Sequence, residues 1–163
     1  FADKNQGEFT IQNVLLTGPL SYVWQPTAIY GMKASAYAGG ANNESESWLV
    51  SPYVDLLEAS KPVLVFEQAR KYGVDFISEC FVMVSVNYEG DVTECDWVHI
   101  PFNQDENGSY IVPDGSSWDF MSSGNFDLSA YAGQKITLGF KYTSSTAGSA
   151  TWEIKNMAVK ELK

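Results

Sequence analysis

The chain has 163 residues, 45% of them hydrophobic and 14% aromatic, which predicts one folded domain with a substantial core. Twenty acidic against ten basic residues give a formal net charge of -10, which argues against a nucleic acid or an anionic membrane surface as the partner. No apolar run is long enough for a transmembrane helix, so direct membrane insertion is not predicted.

Strand patterns dominate the chain from its start. Phe9 and Ile11 begin the first pattern, alternate apolar residues over 28–36 form a second, and residues 62–69 are typical of a more fully buried strand. A further apolar row runs over residues 80–88. Residues 135–142 then alternate cleanly, which predicts that Ile136, Leu138, Phe140 and Tyr142 share one buried face.

Glycine, asparagine, serine and proline clusters separate these patterns, at 39–43, 107–109, 113–117 and 122–125. No stretch keeps helical periodicity over three turns, although 128–132 has room for one helical turn. Many short strands without helices predict an all-β protein. We expect a two-sheet antiparallel jelly-roll β-sandwich that spans residues 1–163, as a domain of a longer protein because the chain opens almost inside a strand.

The last strand changes its parity. Trp152 and Ile154 share one face, but the next apolar residues, Met157 and Val159, fall on the other. One extra residue near 155–156 would restore the inward row, which is the effect of a β-bulge. A bulge re-aims side chains and is therefore a candidate contact for a cation or ligand; a simple bend at a sheet edge is the alternative.

The positions of the two cysteines and the one histidine do not indicate a catalytic or metal site. A turn near Gly90 places Cys80 opposite about residue 100, so a disulfide to Cys95 would need a bulge or a longer loop. His99 has no Gly-x-Ser-x-Gly elbow or other partner motif in the sequence, and we interpret it as a structural or surface residue. The acidic loops at 42–46, 89–96 and 105–107 lack EF-hand spacing and are interpreted as solvated turns.

Three segments together resemble a known family. They are residues 48–52 (WLVSP) followed by 54–56 (VDL), residues 127–133 (DLSAYAG) followed by 140–142 (FKY), and residues 151–157 (TWEIKNM). In this order they resemble the motifs of the cleaved-adhesin and choice-of-anchor J domains of Bacteroidetes surface proteins. The resemblance implies a jelly-roll sandwich related in shape to MAM and galactose-binding-like modules.

The same resemblance implies a setting and a role. Domains of this kind are secreted or anchored to the outer-membrane surface, and their implied function is non-catalytic adhesion or carbohydrate binding. The implied partners are a glycan, a host or matrix protein, and neighbouring domains of the same chain. A structural spacer that supports a neighbouring domain and binds nothing itself is the alternative function. No cofactor is implied.

Lys155 departs from the family pattern. Members usually carry an acid at this position, which in related sandwiches can help to hold calcium beside the first strand. A lysine ammonium cannot coordinate a cation. We therefore expect Lys155 to replace the ion by pairing with Glu8 or another acid near the first strand, and calcium is not predicted there.

Exposed aromatic rings are the usual means of sugar binding, because ring faces pack on the apolar faces of sugars. Trp48, Trp97, Trp118 and Trp152 lie in framework-like segments, and we expect them in the core. Trp24, Tyr72 and Tyr110 lie outside the strongest motifs. These three are the predicted ligand-binding residues.

Overall fold

The computed structural model describes residues 1 and 3–163, and it is built almost entirely from β-strands. One helical turn, α1 (Phe76–Glu79), and one 3₁₀ turn (Ser129–Tyr131) interrupt them; the second confirms the helical turn predicted at 128–132. None of the helical segments in this part of the chain has the length or apolar character to cross a membrane. The strands are β1 (Thr10–Leu16), β2 (Trp24–Pro26), β3 (Met32–Ser35), β4 (Tyr37–Ala38), β5 (Ala41–Asn42), β6 (Ser45–Val50), β7 (Val54–Asp55), β8 (Pro62–Tyr72), β9 (Cys80–Ser85), β10 (Val98–Ile100), β11 (Met121–Ser122), β12 (Phe126–Asp127), β13 (Lys135–Ser144) and β14 (Ala150–Glu161).

Two antiparallel sheets face each other. The first has the strand order β1-β6-β13-β9-β10, with β7 also paired to β13. The second has the order β11-β8-β14-β3-β2, with β12 also paired to β8. The small β4–β5 hairpin lies outside both. The predicted two-sheet antiparallel β-sandwich is therefore confirmed.

Alternation along each strand sends one set of side chains into the space between the sheets. From β13, Ile136, Leu138, Phe140 and Tyr142 are all buried there, as their spacing predicts. Strand β8 contributes Leu64 and Phe66 and β14 contributes Trp152 and Ile154, so large apolar side chains from both sheets form one core. The Tyr142 hydroxyl donates to the Ala150 carbonyl oxygen at 2.6 Å, which satisfies its polar end.

The predicted bulge in the last strand is present. Strand β14 pairs Lys155 with Glu67 and then Ala158 with Val65, so three steps on β14 match two on β8. Asn156 takes the left-handed conformation at φ +51°, which asparagine tolerates better than most residues. Its side-chain amide donates to the Glu67 carboxylate. The extra residue restores the inward row.

A loop closes over the outer face of the first sheet. Residues 86–97, between β9 and β10, bring Val92 and Trp97 onto Trp48, with 4.8 Å between the two tryptophan ring centroids. The Gln12 side chain fastens this loop by donating to the Gly90 carbonyl (2.8 Å) and accepting from the Val92 N–H (3.0 Å). Gly139 lies beneath the rings, where a Cβ would come within 3.0 Å of Trp48. This face is therefore occupied by the protein itself.

The pairing of β9 with β10 agrees with the hairpin register predicted from the sequence, which places Cys80 opposite about residue 100. Strand β10 pairs Ile100 with Val82 and Val98 with Val84, so the register continues from Cys80 toward Phe102 and not toward Cys95. Both thiols are free. Burial raises the pKa of Cys80 far above its ordinary value and also raises that of Cys95, so both are protonated at neutral pH.

Candidate ligand-binding face

The outer face of the second sheet is accessible and polar. Because Trp152 and Ile154 point into the core, Thr151, Glu153 and Lys155 of β14 point outward. The pairing across the sheet then builds two outward rows of side chains. One row runs Gln25, Lys33, Glu153 and Ala69, and the next runs Ser35, Thr151 and Lys71.

Three adjoining clefts open on this face. The first, here called the Glu153 cleft, has a volume of about 370 Å³ and is lined by Tyr30, Lys33, Tyr72, Trp118, Thr151 and Glu153. The second, the Tyr37 cleft, has about 670 Å³ and shares Tyr72 and Thr151 with the first. The third, the Gln25 cleft, has about 380 Å³ and shares Lys33 with the Glu153 cleft and Tyr37 with the Tyr37 cleft. The three form one continuous surface.

Exposed aromatic side chains concentrate on this surface. Seven tyrosine and tryptophan residues are exposed by at least 42% in the described part of the chain, and five of them line the three clefts. Hydroxyl, amide and charged groups stand beside the rings. This combination suits a ligand with both apolar faces and hydroxyl groups. The five are Tyr22, Tyr30, Tyr37, Tyr72 and Trp118.

Tyr72 stands between two clefts in an unusual backbone conformation. Its φ of +63° is rare for a bulky residue, and Gly73 follows at +84°. The consecutive positive angles turn the chain away from the end of β8 and leave the Tyr72 ring 66% exposed. Strain of this kind concentrates at ligand-binding positions, because such a conformation persists only where the surrounding structure fixes it.

Trp118 is held beside Tyr72 by an ordered loop. The Arg70 guanidinium donates from Nε to the Pro113 carbonyl at 2.5 Å, and the Asp114 carboxylate accepts from the Ser116 N–H at 2.8 Å. The Trp118 ring then meets Tyr72 edge to face, and the Lys71 ammonium lies 5.6 Å from its centroid. The ring is oriented by these contacts before any ligand binds.

Glu153 is the buried charge of this face. As a residue it is 6% exposed, and its carboxylate oxygens, which the cleft still reaches, accept no hydrogen bond from the described residues. Burial raises the pKa of Glu153 above its ordinary value, and the nearby charges of Lys33 and Lys155 act in the opposite direction. No ion pair forms with either lysine: between described residues the one salt bridge joins Lys141 to Glu46, on the first sheet.

The three aromatic residues proposed from the sequence occupy different places. Tyr72 lies at the centre of the accessible face. Trp24 is 1% exposed, packs against Trp152 with 5.5 Å between ring centroids, and belongs to the core, so its proposed ligand contact is wrong. Tyr110 is 43% exposed but lies in the loop before β11, where it bridges to Gln104, and it does not line the three clefts.

The expectation for Trp118 is also corrected. It was assigned to the core with Trp48, Trp97 and Trp152, yet it is 42% exposed and lines the Glu153 cleft. Trp152 is fully buried between the sheets, and Trp48 and Trp97 are covered on the outer face of the first sheet. The aromatic lining of the three clefts thus includes one tryptophan, Trp118, and not Trp24.

Lys155 does not form the expected ion pair. Its ammonium lies 3.9 Å from the centroid of the Phe120 ring, on the outer face of the second sheet. Glu8 lines a separate cleft with Asn156 and Asp55, and no salt bridge joins it to Lys155. The proposed replacement of a cation by this pair is therefore wrong, because the lysine projects to the opposite side of its strand.

His99 lies on β10 of the first sheet, outside the three clefts. His99 packs edge to face on Phe81, with centroids 5.3 Å apart, and partial burial lowers its pKa. In residues 1 and 3–163 there is no group of three histidine, cysteine, aspartate or glutamate side chains placed to hold a metal ion. The geometry of the open face suits binding.

The comparisons with known proteins give a structural likeness. No family model matches the chain, and no curated protein matches it. Among solved structures, it superposes on the K1 cleaved adhesin domain of Lys-gingipain from Porphyromonas gingivalis with a TM-score of 0.57 and 11% identity, over 99% of this chain and 95% of that one.

Two further domains of the same protein give similar values. For the K3 cleaved adhesin domain, from Porphyromonas gingivalis, the TM-score is 0.55 at 10% identity, over 95% of this chain and 92% of that one. For the K2 domain of Lys-gingipain it is 0.53 at 16% identity, over 96% and 90%. These identities are low enough that the likeness is one of fold. The chain has the fold of the cleaved adhesin domains, which its three sequence motifs resemble.

Proposed function

We propose that the chain is a non-catalytic extracellular binding module that takes a glycan on the outer face of its second sheet. The observation that carries this proposal is the placement of five of the seven exposed aromatic side chains on that one face. We also propose a location at the cell surface or in the secreted fraction, which the likeness in fold to the cleaved adhesin domains of Lys-gingipain supports.

The chemistry of the face favours a sugar. A pyranose ring has apolar C–H faces that pack on aromatic rings, and hydroxyl groups around its edge that need polar partners. Tyr72 and Trp118 offer the rings, while Thr151, Lys33 and Glu153 offer the polar groups. The clefts of about 370 to 670 Å³ fall within the range of about 300–1,000 Å³ that is usual for small-molecule sites.

The contrast between the two sheets supports a ligand site on the second one. The loop 86–97 fills the outer face of the first sheet with Val92 and Trp97. On the second sheet the clefts share residues with one another, so a chain of several sugar units has a continuous path across β2, β3, β14 and β8.

A glycan array probed with the labelled 163-residue chain tests the proposal. We compare the wild type with Tyr72→Ala and Trp118→Ala, and use Tyr53→Ala as the matched control, since Tyr53 is 65% exposed but lies outside the three clefts. Loss of a stacked ring costs about 1–3 kcal/mol, or roughly 5- to 150-fold in affinity.

The expected result is binding of a glycan by the wild type and by Tyr53→Ala, with the stated loss in the other two variants. A structural spacer would bind none of the glycans, and that outcome would contradict the proposal. Equal losses in all three variants would remove the site from the second sheet.

A further inference from the structure

Glu153 lines the Glu153 cleft, and as a residue it is only 6% exposed. Its carboxylate oxygens are still reached from the cleft, and they accept no hydrogen bond from the described residues. An ionised carboxylate has about four acceptor sites, and no side chain in residues 1 and 3–163 fills any of those on Glu153. Such a group is placed to accept hydrogen bonds from something in the cleft.

The charges around Glu153 narrow the class of ligand. Lys33 lies directly opposite on β3, Lys155 lies two residues along β14, and on β8 Lys71 and Glu67 flank the position opposite. Of these lysines Lys33 lines the cleft itself, where its charge disfavours a cationic ligand, and the Glu153 carboxylate disfavours an anionic one. A neutral donor of hydrogen bonds is the ligand that meets neither repulsion.

The walls of the cleft add a second requirement. Tyr30, Tyr72 and Trp118 present aromatic surface beside Glu153, while Thr151 and Lys33 supply groups that donate to ligand oxygens. The ligand must therefore place two donors on one edge and an apolar face against a ring. Adjacent hydroxyl groups on a sugar ring meet this requirement, since each donates to one carboxylate oxygen.

We propose that Glu153 accepts hydrogen bonds from two adjacent hydroxyl groups of a neutral sugar ring held in the Glu153 cleft. This assignment rests on the proposed glycan-binding function and makes Glu153 the residue that determines specificity. Uronic acids, with their negative charge, and amino sugars, with their positive charge, bind more weakly at this position than neutral sugars.

If Glu153 binds a sugar, the substitution Glu153→Gln should raise the melting temperature and lower the affinity for the sugar. A carboxylate that only stabilises the fold would not show this combination. Glu153→Gln keeps the shape of the side chain and removes the buried charge, so the melting temperature rises by about 2–4 °C. The same change replaces one acceptor with a donor, so affinity for the sugar falls roughly 10- to 150-fold. A structural carboxylate would show a lower melting temperature instead.

The experiment is isothermal titration of the 163-residue chain with a defined panel: lactose, cellobiose, mannobiose and xylobiose as neutral probes, digalacturonate as the acidic probe and chitobiose without acetyl groups as the cationic probe. Glu46→Gln is the matched control, because Glu46 lies on the first sheet and pairs with Lys141. A neutral polysaccharide oxidised by periodate, which cleaves the bond between adjacent hydroxyl-bearing carbons, is the ligand control.

The expected result is binding of at least one neutral probe, its loss in Glu153→Gln, its retention in Glu46→Gln, and weak binding of the charged and the oxidised probes. Undiminished binding by Glu153→Gln, or preference for a charged probe, would overturn the assignment while the loss in Tyr72→Ala still supports glycan binding. Failure of every probe and of the array would overturn both proposals together.

The pH dependence of affinity in the wild type tests the role of Glu153 without a variant that could fail to fold. Affinity for the neutral probe falls as the pH decreases through the pKa of Glu153, which burial raises above its ordinary value of 4.5. The charged groups that face Glu153 are Lys33 on β3, Lys155 on β14, and Lys71 and Glu67 on β8, so the same titration of Glu67→Gln separates the effects of the two carboxyl groups. A flat affinity profile in the folded protein would contradict the role of Glu153.

Discussion

Tyr72 and Trp118 meet edge to face with their ring centroids 6.1 Å apart, and both rings remain largely exposed. Each ring therefore limits the motion of the other while leaving surface free for a ligand. Preformed aromatic surface lowers the entropy that binding costs, because fewer side-chain rotations are lost. The pair supports the proposed glycan site on the second sheet.

Two tryptophans are expected to differ sharply in their effect on stability. Trp24→Ala removes a ring buried against Trp152 and should lower the free energy of unfolding by about 3–5 kcal/mol. Trp118→Ala removes an exposed ring and should cost less than about 1 kcal/mol. Urea denaturation of both variants measures the difference. Equal losses would show that Trp118 is part of the core.

The bulge at Asn156 gives a prediction about backbone conformation. At φ +51°, alanine suffers the steric cost of the left-handed region, whereas glycine does not. Both changes remove the hydrogen bond to Glu67, so the comparison isolates the backbone term. Asn156→Ala should be less stable than Asn156→Gly by about 1 kcal/mol. Equal melting temperatures would argue against the left-handed conformation.

Lys155 should contribute little to stability. Its ammonium rests on Phe120, and a cation–π contact at a partly exposed site contributes about 0.5–1 kcal/mol. Lys155→Met should therefore lower the free energy of unfolding by no more than that. Lys160→Met, an exposed lysine on the same strand, is the control. A loss of about 3–5 kcal/mol would instead indicate a buried ion pair.

Calcium dependence remains a prediction from the sequence. A cation that binds only the folded state raises the melting temperature by mass action. We expect the melting temperature of the wild type to be the same with added calcium as with a chelator. A clear increase with calcium would reveal a cation site, and Asp55→Asn together with Glu8→Gln would then test the cleft that contains both acids.

The pH dependence of stability follows from the raised pKa of Glu153. Below the ordinary value of 4.5 the carboxyl is protonated in both the folded and unfolded states, so wild type and Glu153→Gln should be equally affected. As the pH rises through the interval up to the raised folded value, the folded state holds the proton of Glu153 more tightly, so the wild type loses stability relative to Glu153→Gln. Thermal melts of both proteins from pH 4 to 7 measure this difference; a wild type that gains stability relative to the variant would indicate an ion pair with Lys33.

The sequence predicts the buried faces of the strands well, because these depend on the alternation of apolar and polar residues along each strand. The spacing of Ile136, Leu138, Phe140 and Tyr142 predicts their common burial, and the parity change after Ile154 predicts the bulge. Both features are local, since the period of a strand and the extra residue of a bulge are properties of consecutive residues. Tertiary contacts are not needed to infer them.

The ligand-binding face is harder to predict because exposure depends on distant parts of the chain. Trp24 is covered by Trp152, which lies 128 positions later, and Trp118 is left open because its loop is fixed by Arg70. Glu153 was available as a signal: it lies between Trp152 and Ile154, and its outward direction follows from theirs. Its enclosure by Tyr30, Tyr72 and Trp118 could not be predicted, because it depends on the pairing of four strands and on the position of a loop.

The most direct test of the central claim is a two-dimensional ¹H–¹⁵N spectrum of the labelled chain, titrated with the glycan that binds most strongly on the array. We predict that the largest shifts fall on the backbone amides of Lys33, Thr151 and Glu153 and on the indole N–H of Trp118, while the indole N–H of Trp97 on the first sheet does not move. Shifts confined to residues 86–97, or a spectrum unchanged at saturating glycan, would contradict the placement of a glycan site on the second sheet.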